Sequence, residues 1–335
     1  ISPEKEVASA AIKRLQVPAA FETESFLDGS AQLLGLKLAD DCPVLETPLR
    51  QLSELFSTLE GIVVGVRRNR LLFIPKPEDQ LFAGDEVYIF CSHADIERIF
   101  EIFGKNIKSG ERIIIIGGGN VGLEVATQLE KRFSQFHVKI IEKNRSRAEK
   151  IADKLEKTIV LNGDGLDLDL LEEANIDKVD AVLALTDDDK TNMLSCTRAK
   201  ASGCPVTISL VNDPSLTSLL SPMGVDGFIS PRTTTVSSIL QHIRHGLVKS
   251  VYSIGDAEAE VIEAQVMGTS SIAGQSVRDI KWPKDTILGA IRTNGVTVIP
   301  KGDTRLEEGS LITIFALSKD IHDIESLLQV GMDFF

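Results

Sequence analysis

The chain repeats itself. Residues 84–99 match residues 309–324, with Phe90 aligned on Phe315, an offset of 225 positions. Ile74-Pro75, Arg67 and Asn69 keep that offset with Ile299-Pro300, Arg292 and Asn294. Residues 49–52 pair instead with 277–280 at an offset of 228, so one three-residue insertion or deletion separates the two registers. A repeat of this kind requires two copies of one supersecondary unit. Ile1-Ser2-Pro3 also matches Ile229-Ser230-Pro231 at 228. The second copy is preceded by a domain starting near Glu111, so a domain of that size is expected to precede Ile1.

Between the copies the pattern changes. Within residues 112–230, short Val/Ile-rich runs alternate with amphipathic stretches. The runs are 112–117, 137–142, 158–162, 181–186 and 206–211. Val121, Val125 and Leu129 mark one helix and residues 147–155 another. Continuous apolar strands alternating with helices predict an α/β fold with a doubly wound parallel sheet covered on both faces. The flanking segments 24–103 and 256–330 show short strands, an Asn294-Gly295 turn and a closing helix each. They read as small α+β domains without a nucleophile–base pair.

The length of 335 residues suits two or three domains. The net charge of −13 argues against nucleic-acid binding and against a polybasic grip on lipid. No apolar run reaches the roughly 18–20 residues of a membrane span, so direct membrane insertion is not expected. Cys42, Cys91, Cys196 and Cys204 lack CxxC spacing and read as buried free thiols of a reducing cytosol.

The first strand-to-helix turn is Gly117-Gly118-Gly119-Asn120-Val121-Gly122, fitting G-x-G-x-x-G. It follows a strand and opens a helix, and Glu142 ends the next strand. The glycines let backbone approach a pyrophosphate, and the helix N-terminus offers unpaired N–H groups. Glu142 would accept hydrogen bonds from an adenosine ribose and repel a 2′-phosphate. Lys143, Asp164, Gly165, Thr186 and Asp187 lie on neighbouring strand-end loops. Arg145 reads either as a guanidinium stacked on adenine or as a solvated helix start. Asp164, Asp167 and Asp169 lack the EF-hand glycine and glutamate and read as helix-capping acids. His242 and His245 share a helix face but have no third ligand nearby, so a solvated face is preferred to a metal site.

Gly117-Gly-Gly-Asn-Val-Gly, Glu142, Asn-Gly-Asp164, Thr186-Asp-Asp-Asp-Lys-Thr-Asn192 and Ile229-Ser-Pro together resemble the TrkA N-terminal (RCK/KTN) domain. The flanking domains resemble the TrkA C-terminal (RCK_C) domain. The order C–N–C, read as N–C–N–C without its first N domain, is similar to Trk potassium-uptake regulatory subunits of bacteria and archaea. The resemblance implies these boundaries: 1–23, crossover helix and linker from the missing first RCK_N domain; 24–104, first RCK_C; 110–250, second RCK_N with its crossover helix; 256–332, second RCK_C.

It further implies a cytoplasmic homo-oligomer, dimer or ring, on the inner face of a membrane potassium-translocating subunit. Such a subunit binds NAD(H), or ATP or ADP, and gates transport without chemistry. Some members carry an Arg inside the Gly-rich loop. Here Gly118, Asn120 and Val121 supply no cation, which disfavours a triphosphate. An NAD-dependent dehydrogenase is the alternative, though its five His residues lie away from the loop; a third reading is an acidic scaffold with a vestigial nucleotide fold. Val236, Ile239, Leu240, Ile243 and Leu247, with Val7, Ala11 and Leu15 in the first copy, predict linker helices packed on a neighbouring subunit or repeat.

Overall fold

The computed structural model describes residues 2–17, 20–105, 111–133, 135–236, 248–255 and 257–328. They fall into two compact units, Ile1–Phe21 with Lys108–Ser238, and Glu22–Ile107 with Ile239–Phe335.

The chain opens with α1 (Pro3–Gln16). Proline at its start, Glu4 and Glu6 in the first turn and Lys13 and Arg14 in the last suit the helix dipole. Next come β1 (Glu22–Phe26), β2 (Ala31–Lys37), α2 (Leu49–Leu55), β3 (Gly61–Arg68), β4 (Leu71–Phe73), β5 (Glu86–Ser92) and α3 (Ile96–Ile102). Their strands form an antiparallel sheet in the order β1-β2-β5-β3-β4.

The parallel unit contains β6 (Arg112–Ile116), α4 (Asn120–Arg132), β7 (His137–Glu142), α5 (Arg145–Ala152), β8 (Ile159–Asn162) and α6 (Leu168–Glu173). It continues with β9 (Ala181–Ala184), α7 (Asp189–Ala201), β10 (Val206–Leu210), α8 (Thr217–Leu220) and β11 (Gly227–Ile229). The sheet order is β11-β10-β9-β6-β7-β8, with every pairing parallel. Side chains alternate across a strand. Ile113 and Ile115 therefore enter one core with α4 and α5, while Ile114 and Ile116 enter the other with α6 and α7.

α1 joins the first of these cores. Its Val7, Ala8, Ala11, Ile12 and Leu15 are buried with Val125, Ala126 and Leu129 of α4. The apolar stripe read at Val7, Ala11 and Leu15 is thus covered by the neighbouring repeat's parallel domain. Residues 231–236 begin the second such helix. Ile239, Leu240, Ile243, Leu247, His242 and His245 lie outside the described residues.

The second antiparallel module comprises β12 (Val248–Ile254), β13 (Ala259–Gln265), β14 (Thr286–Thr293), β15 (Val296–Val298), β16 (Leu311–Leu317) and α9 (Ile321–Leu328). Its order, β12-β13-β16-β14-β15, repeats the first. β3, β4 and β5 map onto β14, β15 and β16 at offset 225, and β2 maps onto β13 at 228. Both modules even carry a register irregularity at matched places, between Val63 and Gly65 and between Leu288 and Ala290. The length difference therefore falls between residues 52 and 61, against 280 and 286. α2 of the first module runs into that interval, whereas the second module has only a 3₁₀ turn, Val277–Asp279, at the place where α2 begins.

The two modules pack against each other. Phe90 and Phe315, equivalent in the repeat, are fully buried. A Cβ on Gly289 would stand 2.5 Å from the Phe90 ring, and one on Gly65 would stand 2.7 Å from the Phe315 ring. Arg67 pairs with Glu258, while its repeat mate Arg292 pairs with Asp28 and donates to the Leu27 carbonyl. Buried Glu263 accepts the Leu27 N–H at 2.8 Å.

Candidate functional site

In an open α/β sheet, ligands bind at the carboxyl ends of the strands where the winding reverses. Here that point lies between β6, followed by Gly117, and β9, followed by Leu185 and Thr186. Gly117 takes a φ of +103°, a conformation that favours glycine. Its N–H donates to the Ile141 carbonyl at 2.9 Å. A Cβ on Gly122 would lie 2.0 Å from the Gly117 oxygen, so the turn closes onto α4 only with glycine there. A Cβ on Gly119 would meet nothing within 4 Å. Backbone is thus open to a ligand at Gly119.

Gly119 is also the N-cap of α4, and no side chain caps that helix. The first N–H groups of a 13-residue helix face outward beside Asn120 and Val121. The donor set and the open glycine fit a pyrophosphate or phosphate.

Glu142 ends β7 and lies against the turn. Its carboxylate accepts the Gly118 N–H at 2.8 Å and the Asn144 N–H at 2.7 Å. Lys143 and Asp164 meet at 2.8 Å, which holds the Asp164 carboxyl below its ordinary range and raises the Lys143 ammonium. Asn162 donates to the carbonyls of Glu142 and Lys143 at 2.8 and 3.2 Å, tying this edge together. Gly165 is buried, and a Cβ there would come within 2.3 Å of Ile116. Arg145 pairs with Glu149 on its own helix at 3.1 Å and is 84% exposed. Asp167 caps α6 by accepting the Asp169 N–H at 3.0 Å, as a capping acid does.

On the far side, Thr186 is held by Asn192. The Thr186 N–H and hydroxyl donate to Asn192 Oδ1 at 2.9 and 2.7 Å. Asn192 Nδ2 returns to the Thr186 carbonyl at 2.9 Å and to the Leu210 carbonyl at 3.0 Å. Asp187 is exposed at the tip. Asp188 caps α7, and the Thr191 hydroxyl and N–H keep its carboxyl below the usual range. Asp189 accepts the N–H groups of Asn212 and Asp213, joining the next strand-end loop.

Two residues of this constellation escape the motif reading. Asn192 stands inside a quoted motif but its role needs the fold. Arg147 donates Nε to the Gly118 carbonyl at 2.8 Å and Nη2 to Asn120 Oδ1 at 3.3 Å. Its placement follows from the fold: Ile151, one helical turn on, is buried, and side chains four apart share a helix face. The Glu4 carboxyl sits below its ordinary range, through the backbone at the helix start first, then Ser2, with Asn120 adding.

The TrkA-N domain model matches residues 113–231, and the TrkA-C domain model matches residues 33–104 and 261–329. The parallel domain with its open Gly-rich turn and its repeated antiparallel modules therefore place the chain in the class of tandem TrkA-N/TrkA-C proteins. A Trk system potassium uptake protein TrkA from Azorhizobium caulinodans is 40% identical over all 335 residues, which span 73% of that relative. The Halomonas elongata protein of that name is 32% identical over the whole chain and 74% of its own length, and that of Vibrio alginolyticus 33% over 98% and 72%. The chain belongs to the TrkA family of Trk potassium uptake proteins. Among solved structures, the GsuK RCK domain matches with a TM-score of 0.50 at 17% identity, covering 97% of this chain and 70% of that one. The GsuK channel bound to NAD gives 0.51 at 17%, covering 97% and 58%. These two establish likeness of fold.

Proposed function

We propose that this chain is a nucleotide-sensing regulatory subunit of a Trk-type potassium uptake system. It binds NAD(H), or alternatively ADP or ATP, at the turn Gly117–Gly122 with Glu142 and the Thr186-Asp187 loop. The single observation that carries this is the uncapped α4 N-terminus opening beside Gly119 and facing the Glu142 carboxylate. Bound there, the adenine ligand supplies pyrophosphate to the helix N-terminus and ribose hydroxyls to Glu142.

A gating subunit performs no chemistry; its ligand acts by binding two states unequally, with couplings of about 1–3 kcal/mol typical. α1 is placed to feel such a ligand. It packs along α4, the helix that the Gly-rich turn opens. No described helix is long and apolar enough to cross a membrane, which suits a partner-borne position on the inner face of the cell membrane, under the potassium-translocating subunit. Exposed Leu194 on α7 and Leu219 on α8 support assembly into a dimer or ring.

The dehydrogenase alternative needs an acid–base group at the nicotinamide. The described histidine of the parallel unit, His137, begins β7, five residues and about 17 Å of strand from Glu142. Calorimetric titration of NAD+, NADH, ADP and ATP, with potassium flux measured in the presence of the membrane subunit, tests the proposal. Turnover of a hydroxy or amino substrate with NAD+ would overturn the gating reading, as would no nucleotide binding at all.

A further inference from the structure

The Gly-rich turn carries no cation of its own, but one reaches it from α5. Three cationic residues follow Glu142 in the chain, Lys143, Arg145 and Arg147, and their partners differ. Lys143 is satisfied by the Asp164 carboxylate and Arg145 by the Glu149 carboxylate. Arg147 hydrogen-bonds neutral acceptors, the Gly118 carbonyl and the Asn120 amide oxygen.

Its position is fixed from below. Asn144 caps α5 by accepting the Arg147 N–H at 3.0 Å, and Ala148 and Ile151 of the same helix are buried. A Cβ on Gly118 would lie 2.4 Å from Ile151, so α5 and the turn are in close contact. The guanidinium thus rests at the end of α4 where the helix N–H groups also point. A carboxylate already reaches the same turn, Glu142 on the Gly118 N–H. An anionic ligand arriving here needs a compensating charge. A guanidinium has five N–H donors and two are in use, which leaves a fork for a phosphate.

We infer that Arg147 reads the 5′-phosphate of the adenine ligand, so that the site takes adenosine 5′-phosphates and dinucleotides in preference to adenosine. The inference rests on the nucleotide-binding reading above.

The test is calorimetric titration of AMP, ADP, NAD+ and adenosine, the last to millimolar concentration, into the wild-type chain, R147Q and R147K. Each is measured at low and high salt, with thermal unfolding as a folding control. The expected result is at least a tenfold loss of AMP, ADP and NAD+ affinity in R147Q, with partial recovery in R147K. Adenosine, where measurable, changes less than threefold. The weakening of AMP binding by salt is shallower in R147Q than in the wild type, because one charge contact is gone.

A merely structural Arg147 gives a different outcome: R147Q and R147K fall together, adenosine falls with them, and the salt dependence keeps its wild-type slope. That result overturns the inference, as does an R147Q protein with wild-type AMP affinity. In both cases nucleotide binding by the wild type stands. A wild-type chain that binds none of the four ligands takes down the function reading and this inference together.

Discussion

Replacing Asn192 by alanine should unlock one wall of the nucleotide site. Asn192 is fully buried and makes four hydrogen bonds, three to Thr186 and one to the Leu210 carbonyl. Each such bond contributes about 1 kcal/mol net, and a buried group left without a partner costs about 1–3 kcal/mol. Thr186 is half-buried, so water can recover part of its loss; the Leu210 carbonyl, 5% exposed, keeps only the Ser209 hydroxyl at 3.3 Å. The expected local destabilisation is therefore about 2–4 kcal/mol, or about a 30- to 1000-fold rise in the opening equilibrium. Amide hydrogen exchange reads this directly. Peptides covering residues 181–192 should exchange faster in N192A, while those of residues 112–116 on β6 should change little. N192D keeps the acceptor but loses the two amide donations and buries a charge, so it should be at least as loose. Unchanged protection around Thr186 in N192A, together with unchanged nucleotide affinity, would refute the assignment of Asn192 as the residue that positions this loop.

Other perturbations have equally definite outcomes. E142Q loses a charged acceptor worth about 1.5–3 kcal/mol and should weaken adenine-ligand binding at least tenfold by calorimetry. G122A places a methyl group 2.0 Å from the Gly117 oxygen, so nucleotide binding should be lost; retained wild-type affinity would show that the turn can relax. G65A drives a Cβ to 2.7 Å from Phe315 and should cost about 1–3 kcal/mol, and adding F315L should restore part of that in a double-mutant cycle on thermal unfolding. Burial pushes the thiols of Cys91 and Cys196 up to about 12 and that of Cys204 up to about 11. These cysteines should therefore resist thiol reagents in the native protein at neutral pH and react on unfolding. Because their folded pKa is raised from 9.0, stability should fall as pH climbs from about 9 toward 12, and C196A should flatten that fall.

The sequence periodicity reaches as far as covalent neighbours allow. The strand His137–Glu142 is read to the residue, because its alternation and its closing acid are local. The offsets of 225 and 228 locate matching strands in the two modules, because a duplicated segment keeps its own hydrogen-bond partners. β11 is missed as a strand because three residues, Gly227–Ile229, carry no period of their own and pair only once β10 is in place. β12 starts at Val248, before the boundary of 256 expected for its module, because its identity depends on β13 rather than on its composition. At the site, the glycines and Glu142 are legible as a motif. The roles of Arg147 and Asn192 are not, because Arg147 meets Gly118 across 29 positions and Asn192 ties Thr186 to the Leu210 carbonyl only in the folded chain.

The pairing of the antiparallel modules has a consequence for how such a chain can change. When two identical subunits meet across a two-fold axis, every substitution at the contact occurs twice, and its cost doubles. Here both halves lie on one chain, with Phe90 over Gly289 and Phe315 over Gly65, so a substitution alters one half and leaves its mate intact. The halves have already diverged: Tyr88 occupies the place of Thr313, and three extra residues accompany α2 in the first module. A tandem copy is in this sense a dimer released from symmetry, in which one face can conserve the contact while the other acquires a property of its own.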